Sequence, residues 1–161
     1  MMLETANRIL KNSTFRLKLE ELEELEKERI FCGHGLEHLL AVARMTMLIC
    51  IERGISAEED IVYSAALLHD IGRVEEYTQG IPHETVGAET AQRILSEVGC
   101  GSKKAEKIIG IIRSHRSEGD KADTLEAVFY EADKKSRMCS FCKAQNECNW
   151  PNEKRNDHIE V

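Results

Sequence analysis

The sequence predicts an all-α protein. Apolar residues recur at helical spacing along most of the chain, no strand-like alternation is sustained, and the breakers are few, with two prolines and ten glycines in 161 residues. The expected architecture is a helical bundle of about six helices, residues 1–137, with an irregular cysteine-containing tail, residues 138–161, packed on the same domain. A chain of this length suits one domain with an appendage and buries a real core without disulfide staples.

Ser13 is placed to cap a first helix over Thr14–Arg29, whose acids crowd an exposed face around Leu17, Leu22 and Leu25. Gly33 and Gly35 interrupt before a second helix, Leu36–Arg53, which Gly54 ends. Ser56 with Glu59 three residues on forms a capping-box pattern for a third helix, running to Leu68 or His69. A loop rich in turn signals (Gly72, Gly80, Pro82) leads to a fourth helix, His83–Val98, closed by Gly99-Cys100-Gly101. A fifth helix runs from Ser102 to Ser114, and the polar stretch Arg116–Asp123 reads as a loop. Thr124 caps a sixth helix carrying Leu125, Val128, Phe129 and Ala132; helical periodicity stops near Arg137, and the last dozen residues are polar enough to fray.

Composition narrows the function classes. With 22 Lys+Arg against 29 Asp+Glu the net charge is −7, which argues against non-specific nucleic-acid binding. Fractions of 42% hydrophobic and 32% charged residues are those of a globular chain. Apolar runs such as Met45–Ile51 and Ile61–Leu68 are too short to span a bilayer, and MMLETANRIL lacks the basic and apolar regions of a signal peptide. The expected location is therefore cytoplasmic. In a reducing compartment the six cysteines are buried apolar residues, redox thiols or metal ligands.

Ligand-type residues sit on the apolar stripes. His38 precedes Val42 and Met45 at i+4 and i+7, and His69 follows Val62, Ala65 and Ala66. His83 heads a stripe through Val86, Gly87, Ala91 and Ile94; His115 follows Ile108, Ile111 and Ile112; Asp133 follows Leu125, Phe129 and Tyr130. One inward histidine is usually a hydrogen-bonded core residue. Several from different helices, with the adjacent His69-Asp70 pair, need partners that a shared divalent cation supplies. His34, between two glycines at a helix start, is open to three readings: metal ligand, supporting group or cap.

The order His38, then Leu67-Leu68-His69-Asp70-Ile71-Gly72-Arg73, then His83, His115 and Asp133 resembles the HD-domain metal-dependent phosphohydrolases. HLLAVAR, AALLHDIGR, IPHETVGAE and EADKKSR match that family's successive motifs over residues 31–137. The resemblance implies His38, His69, Asp70 and Asp133 as primary metal ligands, with His83 and His115 either holding a second metal or lining the substrate pocket. It implies hydrolysis of a phosphate ester or anhydride, often in a nucleotide, with Asp70, Arg73, His83 and His115 as catalytic candidates. Arg73 stands where many members carry lysine. Histidine and carboxylate ligands suit manganese, iron, nickel, cobalt or zinc better than magnesium. The spacing from His115 to Asp133 is similar to that of a binuclear subgroup acting on dinucleoside polyphosphates, and a non-enzymatic module binding metal or nucleotide is a further alternative. Arg44, Lys134 and Arg73 are cationic candidates for the substrate phosphate. Substrate identity and oligomeric state are not legible.

The tail RMCSFCKAQNECNW holds Cys139, Cys142 and Cys148 in a C-x2-C-x5-C pattern, one ligand short of a closed site. Cys32 is the best fourth, since it lies six residues before His38 while Cys139 lies six after Asp133. Antiparallel helices meeting at one metal would bring both to the same end of the bundle. Zinc is the first expectation there, an iron–sulfur cluster the second, and free thiols the alternative. Cys50 and Cys100 are expected to be inert.

Overall fold

Helical periodicity is realised almost everywhere it was expected, and in two further places. The computed structural model describes residues 2–115 and 123–160. Among these residues lie eight α-helices: α1 (Glu4–Lys11), α2 (Ser13–Leu25), α3 (Leu36–Arg53), α4 (Glu59–Leu68), α5 (Arg73–Gln79), α6 (His83–Glu97), α7 (Ser102–Ser114) and α8 (Leu125–Lys135). Short 3-10 turns follow at Cys139–Phe141 and Asn152–Lys154, and no strand occurs among the described residues. No described helix is long and apolar enough to cross a membrane.

α4 is the hub. Ile61, Val62 and every residue from Ser64 to Leu68 are buried, so this helix is apolar all round. It packs on α1, α3 and α7; α8 lies along α3, α6 along α7, and α5 bridges α2 and α6. Ile94, Leu95, Ile108, Ile111, Ile112 and Phe129 complete the core around Leu67 and Leu68. Because α4 is buried to its end, the residues at its C-terminus, His69 and Asp70, are placed inside the protein.

Several boundaries differ from the sequence expectation. Among the described residues the bundle has eight helices, where about six were expected. α1 is additional to the expected helices, and its N-terminal amides are capped from far away: Thr5 N and Ala6 N donate to the Asp60 carboxylate at 3.0 and 2.9 Å. α2 is capped by Asn12, whose Oδ1 accepts from Phe15 N at 2.9 Å, not by Ser13, and it ends at Leu25 rather than Arg29. α4 starts after Glu58, so the Ser56 capping box does not form. α5 occupies part of the expected loop and buries only Val74, too little for a periodic stripe; Gly80, at φ 71°, ends it. Apart from Asp123, the expected loop at 116–123 lies outside the described residues.

The tail is tied down rather than frayed. Asn156 Nδ2 donates to the carbonyls of Lys135 and Arg137, both at 2.6 Å, and Asn156 O accepts from Cys139 N at 2.9 Å.

Candidate metal centre

Four histidines share one arrangement, with Nδ1 on an outer partner and Nε2 turned inward. At the end of α4, His69 Nδ1 meets Ala66 O at 2.8 Å. His115, at the end of α7, places Nδ1 on Ile112 O, and His83, opening α6, places it 2.9 Å from Glu76 Oε2. His38 on α3 has Ser136 Oγ 3.4 Å from Nδ1. A carbonyl or carboxylate at Nδ1 fixes that nitrogen as the donor, so the lone pair of a neutral ring lies on the Nε2 side.

Two carboxylates complete the cluster, and Asp70 belongs to both halves of it. His38, His69, Asp70 and Asp133 offer ligand atoms all within 4.8 Å of one another, and so do Asp70, His83 and His115. In the first group Asp70 Oδ2 is 2.9 Å from His69 Nε2 and 3.6 Å from His38 Nε2, while Asp133 Oδ1 lies 3.1 Å from His38 Nε2. In the second, Asp70 Oδ1 is 3.4 Å from His83 Nε2, which faces His115 Nε2 at 3.0 Å. The two oxygens of one carboxylate therefore serve two donor groups.

Close approach of two backbones sets this geometry. A Cβ on Gly72 would lie 2.2 Å from His83 O and 2.6 Å from Gly87 N. Only glycine lets the turn after Asp70 press against the first turn of α6, where His83 is carried.

The charge balance fits a bound cation. Burial opposes ionisation of Asp70 and Asp133, yet neighbouring histidines, joined at Asp70 by Arg73, hold both well below the usual carboxylate range. Burial likewise opposes a charge on His69, but the two carboxylates push it up to about 10. A proton on His69 thus supplies positive charge between two buried anions, the service a divalent ion would perform for neutral imidazoles. His69 Nε2 is also fully buried with no well-directed hydrogen bond, although Asp70 Oδ2 is near. Both atoms belong to the first group of mutually close donors. The donor set fits a divalent metal.

A cavity of about 740 Å³ opens from the second group. His83, His115, Asp133 and Arg73 lie at its inner end, and Tyr130, Lys134, Trp150, Lys154 and Arg155 line its sides. Burial and the positive neighbour His69 bring His115 down to about 4, so its imidazole is neutral at pH 7.

The other sequence candidates fall in distinct places. Arg73 Nε donates to Asp70 Oδ1 at 2.7 Å, so its first task is to hold that carboxylate. Arg44 is exposed, whereas Lys134 reaches both Asp133 and the cavity. His34 stands outside both donor groups. Its Nδ1 is bound to Glu26 Oε1, which also accepts from Tyr77 OH at 2.9 Å, and burial lowers the imidazole to about 4. Cys32, Cys139, Cys142 and Cys148 all line one small separate cavity, while Cys50 and Cys100 do not.

Residues that sequence reasoning missed are the outer partners Glu26, Glu76, Tyr77 and Ser136, and Arg137, whose Nη2 lies 3.2 Å from the inward-turned His38 Nε2. Glu26 belongs to an acid run that reads as a solvated face, and the segment with Glu76 and Tyr77 carries no helical stripe. No local signal marks them.

Comparison with known proteins agrees with this geometry. The HD domain profile matches residues 35–138. An uncharacterized protein of Clostridium beijerinckii is 38% identical over 153 residues, covering 95% of this chain and 96% of its own. A ribonuclease Y of Mycoplasma mycoides is 31% identical over 98 residues, 61% of this chain but only 21% of that protein. The crystal structure of a predicted HD superfamily hydrolase from an uncultured Thermotogales bacterium superposes with a TM-score of 0.60 at 24% identity, covering 87% of this chain and 80% of that one, and shows the shared fold. With the profile spanning most of the chain and its motifs on the residues that converge here, the chain belongs to the HD-domain family.

Proposed function

We propose that the chain is a metal-dependent phosphohydrolase acting on a phosphate ester or anhydride, a nucleotide in the first instance. The observation that carries this reading is the sharing of Asp70 between two donor groups beside a cavity whose wall carries six Lys and Arg against four Asp and Glu, with the rings of Tyr130 and Trp150. His38, His69, Asp70 and Asp133 would hold the primary ion, and a nitrogen-and-carboxylate set suits manganese, iron, cobalt, nickel or zinc. Such an ion lowers the pKa of a bound water toward neutrality and polarises a phosphoryl oxygen.

The chain's own residues do the rest. Arg73 fixes Asp70 through Oδ1, keeping Oδ2 toward His69 and His38. Glu76 orients His83, and the Ile112 carbonyl orients His115. Lys134 and Lys154 offer positive charge to phosphate oxygens, and Tyr130 and Trp150 offer flat faces to a base. Relatives named ribonuclease Y add RNA phosphodiesters to the substrates worth testing.

A binuclear form is favoured by one specific observation, the second donor group of Asp70, His83 and His115. Two ions there would flank the attacking and leaving oxygens, the arrangement suited to dinucleoside polyphosphates. In the mononuclear form the same two histidines contact substrate.

The test begins with metal analysis of protein purified without chelator. Nucleoside mono-, di- and polyphosphates, dinucleoside polyphosphates and short RNA are then assayed with manganese or iron added. Turnover abolished by chelator and restored by metal is expected. Metal-replete protein that binds nucleotide and hydrolyses none of these would replace the enzyme with a binding module. One metal per histidine cluster in excess manganese would exclude the binuclear form.

A further inference from the structure

We infer that Cys32, Cys139, Cys142 and Cys148 hold a four-cysteine iron–sulfur cluster that fastens the C-terminal tail to the loop between α2 and α3. The four thiols come from two distant stretches of chain, and none is engaged in a disulfide. They nevertheless line the same cavity of about 40 Å³. Cys139 and Cys142 sit at the two ends of a 3-10 turn, closed by Cys142 N donating to Cys139 O at 3.0 Å. Arg155 Nη2 holds the Cys148 carbonyl at 3.1 Å, and Arg29 Nε holds that of Cys32 at 3.2 Å.

The spacing of the sulfurs separates a cluster from a single ion. Zinc–sulfur bonds of about 2.3 Å in a tetrahedron bring the four sulfurs to about 3.8 Å from one another, leaving no space between them. Here no three of the four Sγ atoms lie within 4.8 Å of one another, and all four residues line one cavity. A cubane cluster takes wider spacing than one ion does, because each thiolate ligates a different iron and the inorganic core lies between them. Charge agrees. Four thiolates around a cluster carry net negative charge, and Arg137 and Arg155 are among the residues that line the cavity.

A cluster also answers how the tail is held. Among residues 136–160 only Ala144 is buried, so no apolar stripe anchors this segment to the bundle. Arg137, on the cavity wall, also donates to Gly33 O at 3.0 Å, joining the tail to the loop that carries Cys32. Trp150 and Arg155 line this cavity and the large one beside the histidines, so the cluster would set the position of a wall of that larger cavity. The inference is independent of the reaction proposed above.

The experiment uses the full chain, treated anaerobically with ferric iron, sulfide and a thiol reductant, then desalted. Iron at the histidine centre is distinguished by measuring acid-labile sulfide, which only a cluster contains. About four sulfides per chain and a broad visible absorbance are expected. Both should be retained in His69→Ala and Cys100→Ser and lost in Cys142→Ser and Cys148→Ser. Metal bound at the histidine centre of the Cys142→Ser protein shows that the bundle has folded. One tightly held zinc without labile sulfide overturns the inference. So does a folded protein in which all four thiols react freely with maleimide after the treatment, or sulfide retained in both cysteine variants.

Discussion

Two regions of this molecule gather ligand-type side chains, and they are held in opposite ways. At the histidine and aspartate centre the side chains come from core helices and their immediate ends. His69 and His83 are 0% exposed and Asp70 is 2% exposed, with Leu68, Ile112 and Phe129 fully buried around them. At the cysteine cavity the chain is irregular, nearly devoid of buried residues, and clasped by single polar contacts such as those of Asn156. A site built on packed helices is preformed, because its geometry follows from a core that is stable for other reasons. A site built on a tail depends on each clasp and on its ligand. Ligand loss should therefore leave the first region standing and loosen the second.

The largest effect is expected at the shared carboxylate. Asp70→Ala removes a donor from both groups and should reduce phosphohydrolase activity by at least about 10³-fold, on the order of 4 kcal/mol of transition-state stabilisation. Bound metal should fall with it while the helical circular dichroism is retained. Full metal occupancy in this variant would contradict the assignment. Next in size is Gly72→Ala. Its Cβ would meet backbone atoms of His83 and Gly87, which cannot yield as a side chain tip can. Destabilisation of about 3 kcal/mol in urea unfolding is expected, with disturbance of His83. A neutral result would mean that α5 and α6 separate freely, and that the centre is less preformed than its packing implies.

The same contrast explains what could be read in advance. His38, His69, His115 and Asp133 lie on helix-period apolar stripes, so their inward direction is a local property of the sequence. The pairing of Cys32 with the tail is legible too, because it mirrors the distances of Cys32 and Cys139 from His38 and Asp133. Outer partners are another matter. Glu26 looks like any acid on a charged helix until tertiary packing buries it against His34 and Tyr77. α1 takes its cap from Asp60, 55 positions away for Thr5, and α5 has one buried residue to announce it. The lining of two cavities by Trp150 is likewise a product of packing alone.

Asp60 tests whether a remote polar clasp can order a helix as the tail's clasps order the tail. Burial alone would raise its pKa, but the Ala6 amide, Lys104 and the Thr5 amide hold it below the ordinary 3.8. Near that pH the unfolded chain binds more protons at this site than the folded one, so stability rises with pH there. The contribution is fully present above about pH 4 and is lost as the pH falls through the folded value. Asp60→Asn should cost about 2 kcal/mol at pH 7 and flatten this part of the acid limb. Urea titrations between pH 3 and 7 measure both, with amide exchange in α1 reporting where the loss is felt. An unchanged acid limb would show that α1 is held by its own buried Ala6 and Ile9.

The smallest effect expected is the one that joins the two regions. Trp150 faces the large cavity from the tail, and Lys134 Nζ lies 6.0 Å from its ring and 5.2 Å from that of Tyr130. On the nucleotide reading proposed above, two aromatic faces and an ammonium on the wall of that cavity would receive a base and its phosphate. Stacking of a base on an aromatic side chain contributes about 1–3 kcal/mol. Trp150→Ala should therefore raise KM for a nucleotide substrate about tenfold, the lower part of that range, with kcat little changed. Because the ring belongs to the tail and not to the core, the melting temperature of the bundle should hardly move. Cys142→Ser, which frees the same wall without touching the ring, should raise KM in the same direction. A Trp150→Ala protein with unchanged KM would mean that substrate is recognised entirely within the helical bundle, and that the tail serves its own site alone.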